Sequence, residues 1–193
     1  SAALLAGAGF GSWRLAAAAP DTSATSIPTT EAPVAATTTV PGTTTTTTLP
    51  PLSSFRVLAI GDSVMAGAKP RLVPELGPTL VLDAKASRQW SAALHAPDGV
   101  DGPILPTDIV ILHLGQNGAA SPKELGAVID RFRPARRVLV LTVHVHRRWQ
   151  GTVNRQIEGL AAASPNVVVV DWDATAEGHR DWFVRDGVHL TSA

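Results

Sequence analysis

Cysteine is absent from the 193-residue sequence. No disulfide framework, thiol nucleophile or cysteine-ligated metal is available, although the absence does not choose a compartment. An excess of either charge is also missing, since 16 Lys and Arg stand against 16 Asp and Glu. Nothing in that balance calls for nucleic acid or an anionic lipid surface, and no nucleic-acid partner is expected. A full membrane span is not found either. Residues 2–13 are apolar or small throughout, but a helix needs about 20 such residues to cross a bilayer. What is present is globular in character, 45% hydrophobic and 17% charged, and long enough for one domain with length to spare.

The chain divides into three. Residues 1–19 read as the end of a truncated transmembrane helix. The tail of a signal peptide cut near Ala17-Ala18-Ala19 and a disordered Ala-rich terminus are the alternatives. Residues 20–52 hold thirteen threonines, six prolines and only Asp21 and Glu31 as charges. Such a segment buries too little apolar surface to offset its ordering entropy, and proline keeps it extended, so it reads as a disordered spacer of the kind found outside the cytoplasm. Residues 53–193 form the domain, itself near neutral with 15 basic and 14 acidic residues. An anchor, a stalk and then a domain place that domain on the extracytoplasmic side of a plasma membrane to which it is tethered.

Within the domain, residues 55–60 are a short apolar run ending at a glycine, as buried parallel strands do. Residues 79–83, 108–114, 137–144 and 166–171 repeat the form. Ser121-Pro122-Lys123-Glu124 supplies a helix cap, a proline at the first helical position and an acid at the third. Residues 153–163 make a second amphipathic stretch, stopped by Pro165. Five strands with helical crossovers predict an α/β doubly wound, flavodoxin-like three-layer sandwich around a five-stranded parallel sheet.

Three short motifs carry chemistry. Gly61-Asp62-Ser63 follows the first strand, where a parallel sheet opens its carboxyl edge to ligands. It is equally a sound cap for the next helix. Asp186-Gly187-Val188-His189 lies after the last strand. A hydroxyl nucleophile needs a base, and the base needs a carboxylate to hold its tautomer. An Asp three residues before a His can supply that from one loop, although Asp-Gly is also an ordinary turn. Only a neutral imidazole can accept the proton, so activity is expected to rise with pH as the imidazole deprotonates. Gly115-Gln116-Asn117-Gly118 follows the third strand and offers an amide donor for a developing oxyanion, or simply an Asn-Gly turn. In strand order 2-1-3-4-5 the ends of strands one and three flank the switch point. Ser63 and Asn117 would face each other there.

Together, Gly61-Asp62-Ser63, Gly115-x-Asn117 and Asp186-x-x-His189 resemble the ordered blocks of the SGNH (GDSL) hydrolase superfamily. With Asp83-Ala84-Lys85-Ala86-Ser87-Arg88-Gln89 and His113-Leu114 added, the domain looks like the extracytoplasmic SGNH domain of peptidoglycan O-acetyltransferases, which follows an acyltransferase-3 membrane domain and a linker. The resemblance implies a serine acyltransferase or esterase with Ser63, Asp186 and His189 as catalytic triad and Ser63, Ser87 and Asn117 as oxyanion donors. It further implies no cofactor in this domain, acetyl-CoA as ultimate donor through an upstream membrane domain, and a cell-wall glycan hydroxyl as acceptor. The alternative is a carbohydrate or lipid esterase of the same fold.

Two departures accompany it. Ser87 stands where the superfamily usually has a glycine; the N–H survives, but a glycine-only dihedral would be strained. The chain also ends where such domains continue into a closing helix. Among weaker candidates, Arg88, Gln89 and Trp90 follow the oxyanion position and could touch substrate. His144 and His146 alternate on a strand end, which invites a metal reading. Two histidines with no third ligand do not make one, so no metal site is expected and both are kept as acceptor-site candidates. Trp149, Trp172 and Trp182 could serve as sugar platforms, with burial expected for at least two.

Overall fold

The computed structural model describes residues 54–95 and 102–191. The expected membrane-helix end and spacer, residues 1–52, lie outside them. No helix among the described residues is long and apolar enough to cross a membrane.

Five parallel strands form one sheet: β1 (Val57–Gly61), β2 (Leu80–Ala84), β3 (Ile109–His113), β4 (Arg137–Leu141) and β5 (Val167–Val170). Their order is β2-β1-β3-β4-β5, the doubly wound arrangement expected from the sequence. Helices α1 (Ser63–Leu76), α2 (Pro122–Phe132) and α3 (Gln150–Ala163) cross from β1 to β2, β3 to β4 and β4 to β5, a 3-10 turn (Trp90–Leu94) lies between β2 and β3, and α4 (Trp172–Ala176) follows β5. The strands are near-continuous apolar runs because the helices cover both faces of the sheet. β1 is buried at all five positions. Leu58, Ile60, Val110, Leu112, Val138 and Val140 join Val128 and Phe132 of α2 and Val153 and Ile157 of α3 in one core.

The capping motif behaves as its residues dictate: Ser121 Oγ accepts the N–H of Glu124 at 3.2 Å, with Pro122 opening α2. α3 begins at Gln150, three residues before the stretch expected to be helical. β4 stops at Leu141 rather than continuing to His144. The last ladder bond in that region runs from Thr142 N–H to the Val170 carbonyl. Beyond it the N–H of Val143 goes to Asn154 Oδ1, and those of Val145 and His146 go to Gln150 Oε1. Side chains of α3 thus take over the donors that a neighbouring strand would have paired, and His144 and His146 lie on a loop, not on a strand face.

Register places the site. Gly61 is level with Ala84 on one side and His113 on the other. The three segments that leave β1, β2 and β3 therefore emerge side by side at the carboxyl edge of the sheet.

Candidate active site

Asp62 ends the first of these segments. Its Oδ1 accepts the Val64 N–H at 3.1 Å, capping α1 and leaving Ser63 as the first helical residue. The capping reading and the nucleophile reading of Gly61-Asp62-Ser63 therefore describe one turn. The first N–H groups of a helix have no intrahelical partner, so Ser63 combines a hydroxyl with a free backbone donor. Asp62 is fully buried and its Oδ2 has no partner. Burial pushes its carboxyl up to about 6, against the opposing pull of the Val64 and Gln116 N–H groups and of His189.

The loop carrying Asp186 and His189 is shaped by a bridge between Phe183 and Leu190 and by the bond from Val184 N–H to the His189 carbonyl. Gly187 turns the chain with φ +72. Arg180 donates to the carbonyls of Val184 and Arg185 and clasps the loop from below. Asp186 Oδ1 accepts the N–H groups of Val188 and His189 at 2.8 and 3.0 Å. Its Oδ2 lies 2.7 Å from His189 Nδ1. The His189 side chain first, then those backbone donors, hold the Asp186 carboxyl well below the usual carboxylate range. An ionised carboxylate can only accept, so His189 Nδ1 carries the hydrogen and Nε2 is left as an acceptor. That Nε2 lies 2.9 Å from Ser63 Oγ. Residues 126 positions apart in sequence complete a Ser–His–Asp relay, which can draw the serine proton toward a base of fixed tautomer.

Asn117 enters from the turn after β3. Gly115, at φ +114, and Gly118, at φ +136, shape that turn, and the Gly118 N–H bonds the Gly115 carbonyl at 3.2 Å. A Cβ at Gly115 would lie 2.7 Å from Val153 Cγ1, so the turn packs against α3 only with glycine. Asn117 is tied to the segment after β2 twice: its Nδ2 donates to the Arg88 carbonyl at 3.2 Å, and Gln89 Nε2 donates to the Asn117 carbonyl at 3.3 Å. Beneath the turn, His113 is buried with its Nε2 2.7 Å from Gln116 Nε2. Burial lowers the His113 pKa to about 4, so this ring is neutral and props the Asn117 turn.

Ser63, Asn117, Asp186 and His189 line one cleft of about 260 Å³ with Gln116, Val145, Arg147, Trp149 and Val188. Trp149 excepted, the other sequence candidates are not among its lining residues. Ser87 is exposed with φ +60, the left-handed conformation anticipated at a position usually held by glycine. Its N–H has no partner among the described residues and remains available. Arg88 turns inward instead, onto the Asp83 carbonyl and Oδ1 at 2.5 and 2.7 Å, and Trp90 is a core residue. His144 is buried, its Nδ1 2.7 Å from Asp173 Oδ1, while His146 is exposed with its ring 4.3 Å away. Among the described residues no group of three His, Cys, Asp or Glu is placed to hold a metal ion. Of the three tryptophans only Trp182 is buried, and only Trp149 reaches the cleft. Sequence reasoning missed Arg147, Arg180 and the Gln150–Asn154–Asp173 network. Polar residues at the start of a helix carry no distinguishing local signal.

No family model matches the chain. It is 40% identical over 138 residues to peptidoglycan O-acetyltransferase OatA of Listeria monocytogenes, an alignment covering 72% of this chain and 22% of that protein. A Bacillus subtilis protein, YrhL, provisionally named for the same activity, is 37% identical over 134 residues, covering 69% of this chain and 21% of its own length. The chain thus spans about a fifth of each relative. In fold it matches the C-terminal catalytic domain of Streptococcus pneumoniae OatA, solved with a methylsulfonyl adduct. The TM-score is 0.56 at 19% identity, over 72% of this chain and 82% of that one.

Proposed function

We propose that the folded part of this chain is an SGNH-type domain that moves an acetyl group through Ser63 to a hydroxyl of a cell-wall glycan, a reading supported by its similarity to peptidoglycan O-acetyltransferases over about a fifth of their length. The observation that carries the reading is the Ser63–His189–Asp186 relay, with contacts of 2.9 and 2.7 Å in a cleft shared with Asn117. Ser63 Oγ attacks the acetyl carbonyl carbon while its proton passes to His189 Nε2. Oxygen charge develops toward the Asn117 amide and the N–H groups of Ser63 and Ser87. The donor oxygen leaves with the proton from His189, and the acetyl-serine remains. The acceptor hydroxyl then gives its proton to His189 and attacks the same carbon, and Ser63 Oγ leaves with that proton returned from His189 Nε2.

Residues 1–19 and 20–52 are proposed as a membrane-helix end and a spacer that hold the domain on the extracytoplasmic face. An acyltransferase domain earlier in the whole protein would relay acetyl from acetyl-CoA. The domain itself needs no cofactor for the steps above. One feature favours the esterase alternative: the His189 and Asp186 side chains are 49% and 43% exposed, so water reaches the base freely. Transfer requires that an acceptor held in attack geometry outcompete that water, and effective molarities of about 10⁵ M or more make this feasible.

The test uses an acetyl-ester donor with muropeptide or chitooligosaccharide acceptors. Acetylated sugar is expected by mass spectrometry, along with faster loss of the acetyl-enzyme when acceptor is added. Ser63→Ala should abolish both reactions while circular dichroism is unchanged. If only acetate forms, and no acceptor alters deacylation, the domain is an esterase. Turnover by Ser63→Ala comparable to that of the parent would remove the serine mechanism altogether.

A further inference from the structure

Val145, Arg147 and Trp149 bring one segment, the β4–α3 loop, into the cleft beside Ser63 and His189. The loop is held firmly. Gln150 Oε1 accepts the N–H groups of Val145 and His146 at 2.9 and 2.8 Å, and the Arg147 carbonyl accepts the Gln150 N–H at 3.0 Å. Asn154 grips both backbone groups of Val143, and Asp173 in turn accepts from the side-chain amides of Gln150 and Asn154. His146 takes φ +48 to turn the chain just before Arg147. Such a support positions whatever the loop presents at low entropic cost.

What it presents is a cation without a partner. The Arg147 side chain makes no hydrogen bond or ion pair among the described residues, whereas Arg56, Arg88 and Arg133 each pair with an aspartate. The only carboxylate lining the cleft among the described residues, Asp186, is engaged by His189 and two backbone donors. A planar guanidinium matches a carboxylate in a two-pronged contact. The cleft, at about 260 Å³, falls below the usual range for a drug-sized ligand, so most of a polymeric acceptor must lie along its rim. Resting on the transfer reading, we propose that Arg147 recognises a carboxylate carried by the acceptor glycan or its peptide, so that the domain selects acidic acceptors over neutral ones.

The experiment gives the enzyme a neutral acetyl-ester donor, which confines any charge effect to the acceptor. Deacylation is compared with a disaccharide–peptide fragment bearing free carboxylates and with the same fragment after its carboxylates are converted to amides. The parent should favour the acid form by about fivefold at low salt, the scale of one exposed ion pair, and the preference should shrink as salt is added. Arg147→Gln should use both fragments equally, and Arg147→Lys should keep part of the preference. Arg148→Gln, which removes the same charge one residue away and outside the cleft, should retain it in full. Each preference is a ratio within one variant, so a general loss of activity does not disturb it. An unchanged preference in Arg147→Gln, an equal loss in Arg148→Gln, or no preference in the parent although both fragments speed deacylation would each overturn the proposal. If neither fragment speeds deacylation of the parent, the transfer reading itself fails and takes this proposal with it.

Discussion

In the proposed mechanism Asp186 and Asn117 serve one reaction in different ways, and their variants should fail differently. Asp186→Asn leaves an amide that can donate to His189 Nδ1, which favours the tautomer with its hydrogen on Nε2, facing Ser63. A large fall in kcat is expected. Asn117→Ala removes an oxyanion donor and also the bond to the Arg88 carbonyl; such donors are typically worth about 10² to 10³ in kcat. If steady-state kinetics move by less than tenfold in both, the role assignments are wrong. Ser87 offers a test on stability. Its φ of +60 costs a non-glycine residue about 1–2 kcal/mol, while glycine would restore about 0.4–1 kcal/mol of unfolded-chain entropy. Ser87→Gly should therefore stabilise by no more than about 1.6 kcal/mol, read as a small rise in Tm, and should keep activity because the N–H is retained. A fall in Tm would mean that the serine conformation is not strained.

At the scale of elements, the cleft depends on how closely the turn after β3 meets α3. Gly115→Ala places a methyl 2.7 Å from Val153 Cγ1 and 3.2 Å from Val143 Cγ1, at a φ of +114. Overpacking of about 1–3 kcal/mol adds to backbone strain of about 1–2 kcal/mol. Denaturant unfolding should show a loss of about 2–5 kcal/mol, with activity falling as Asn117 is displaced. Gly118 has the same kind of backbone but only Gln89 Oε1 at 4.0 Å, so Gly118→Ala should cost less. Equal losses at the two glycines would show that backbone strain, not packing against α3, governs the turn.

For the whole molecule, two buried groups beside the site set opposite pH slopes. Asp62 is raised from 3.8 to about 6. Between those values the folded state keeps a proton that the unfolded chain has lost, so this contribution is full at low pH and disappears as pH rises through about 6. His113 is lowered from 6.5 to about 4. There the unfolded chain binds the extra proton, so stability is full above 6.5 and lost as pH falls toward 4. Each shift is worth on the order of 3 kcal/mol, and the two nearly cancel across the shared window. Chemical denaturation of the parent between about pH 4 and 6.5 should give a shallow profile. Asp62→Asn keeps a capping oxygen and should unmask stability that falls with acid. His113→Gln should unmask the reverse slope. Unaltered profiles in both variants would mean that neither group is shifted as described.

What the sequence determined by itself was everything encoded in short range. Apolar runs bounded by glycine marked the five strands, Ser121-Pro122-Lys123-Glu124 marked the start of α2, and three motifs after strand ends named Ser63, Asn117 and the Asp186–His189 pair. Strand order followed because a parallel sheet admits few topologies. The tertiary structure decided which polar side chains face the cleft, since that depends on partners far away in sequence. Arg88 looked like a substrate contact until Asp83 claimed it, and His144 until Asp173 did. β4 ended early because Asn154 and Gln150, on the following helix, captured its backbone donors. Arg147 entered the cleft because those same side chains hold its loop. Hydrogen-bond competition between distant segments has no periodicity to read, and only the folded chain resolves it.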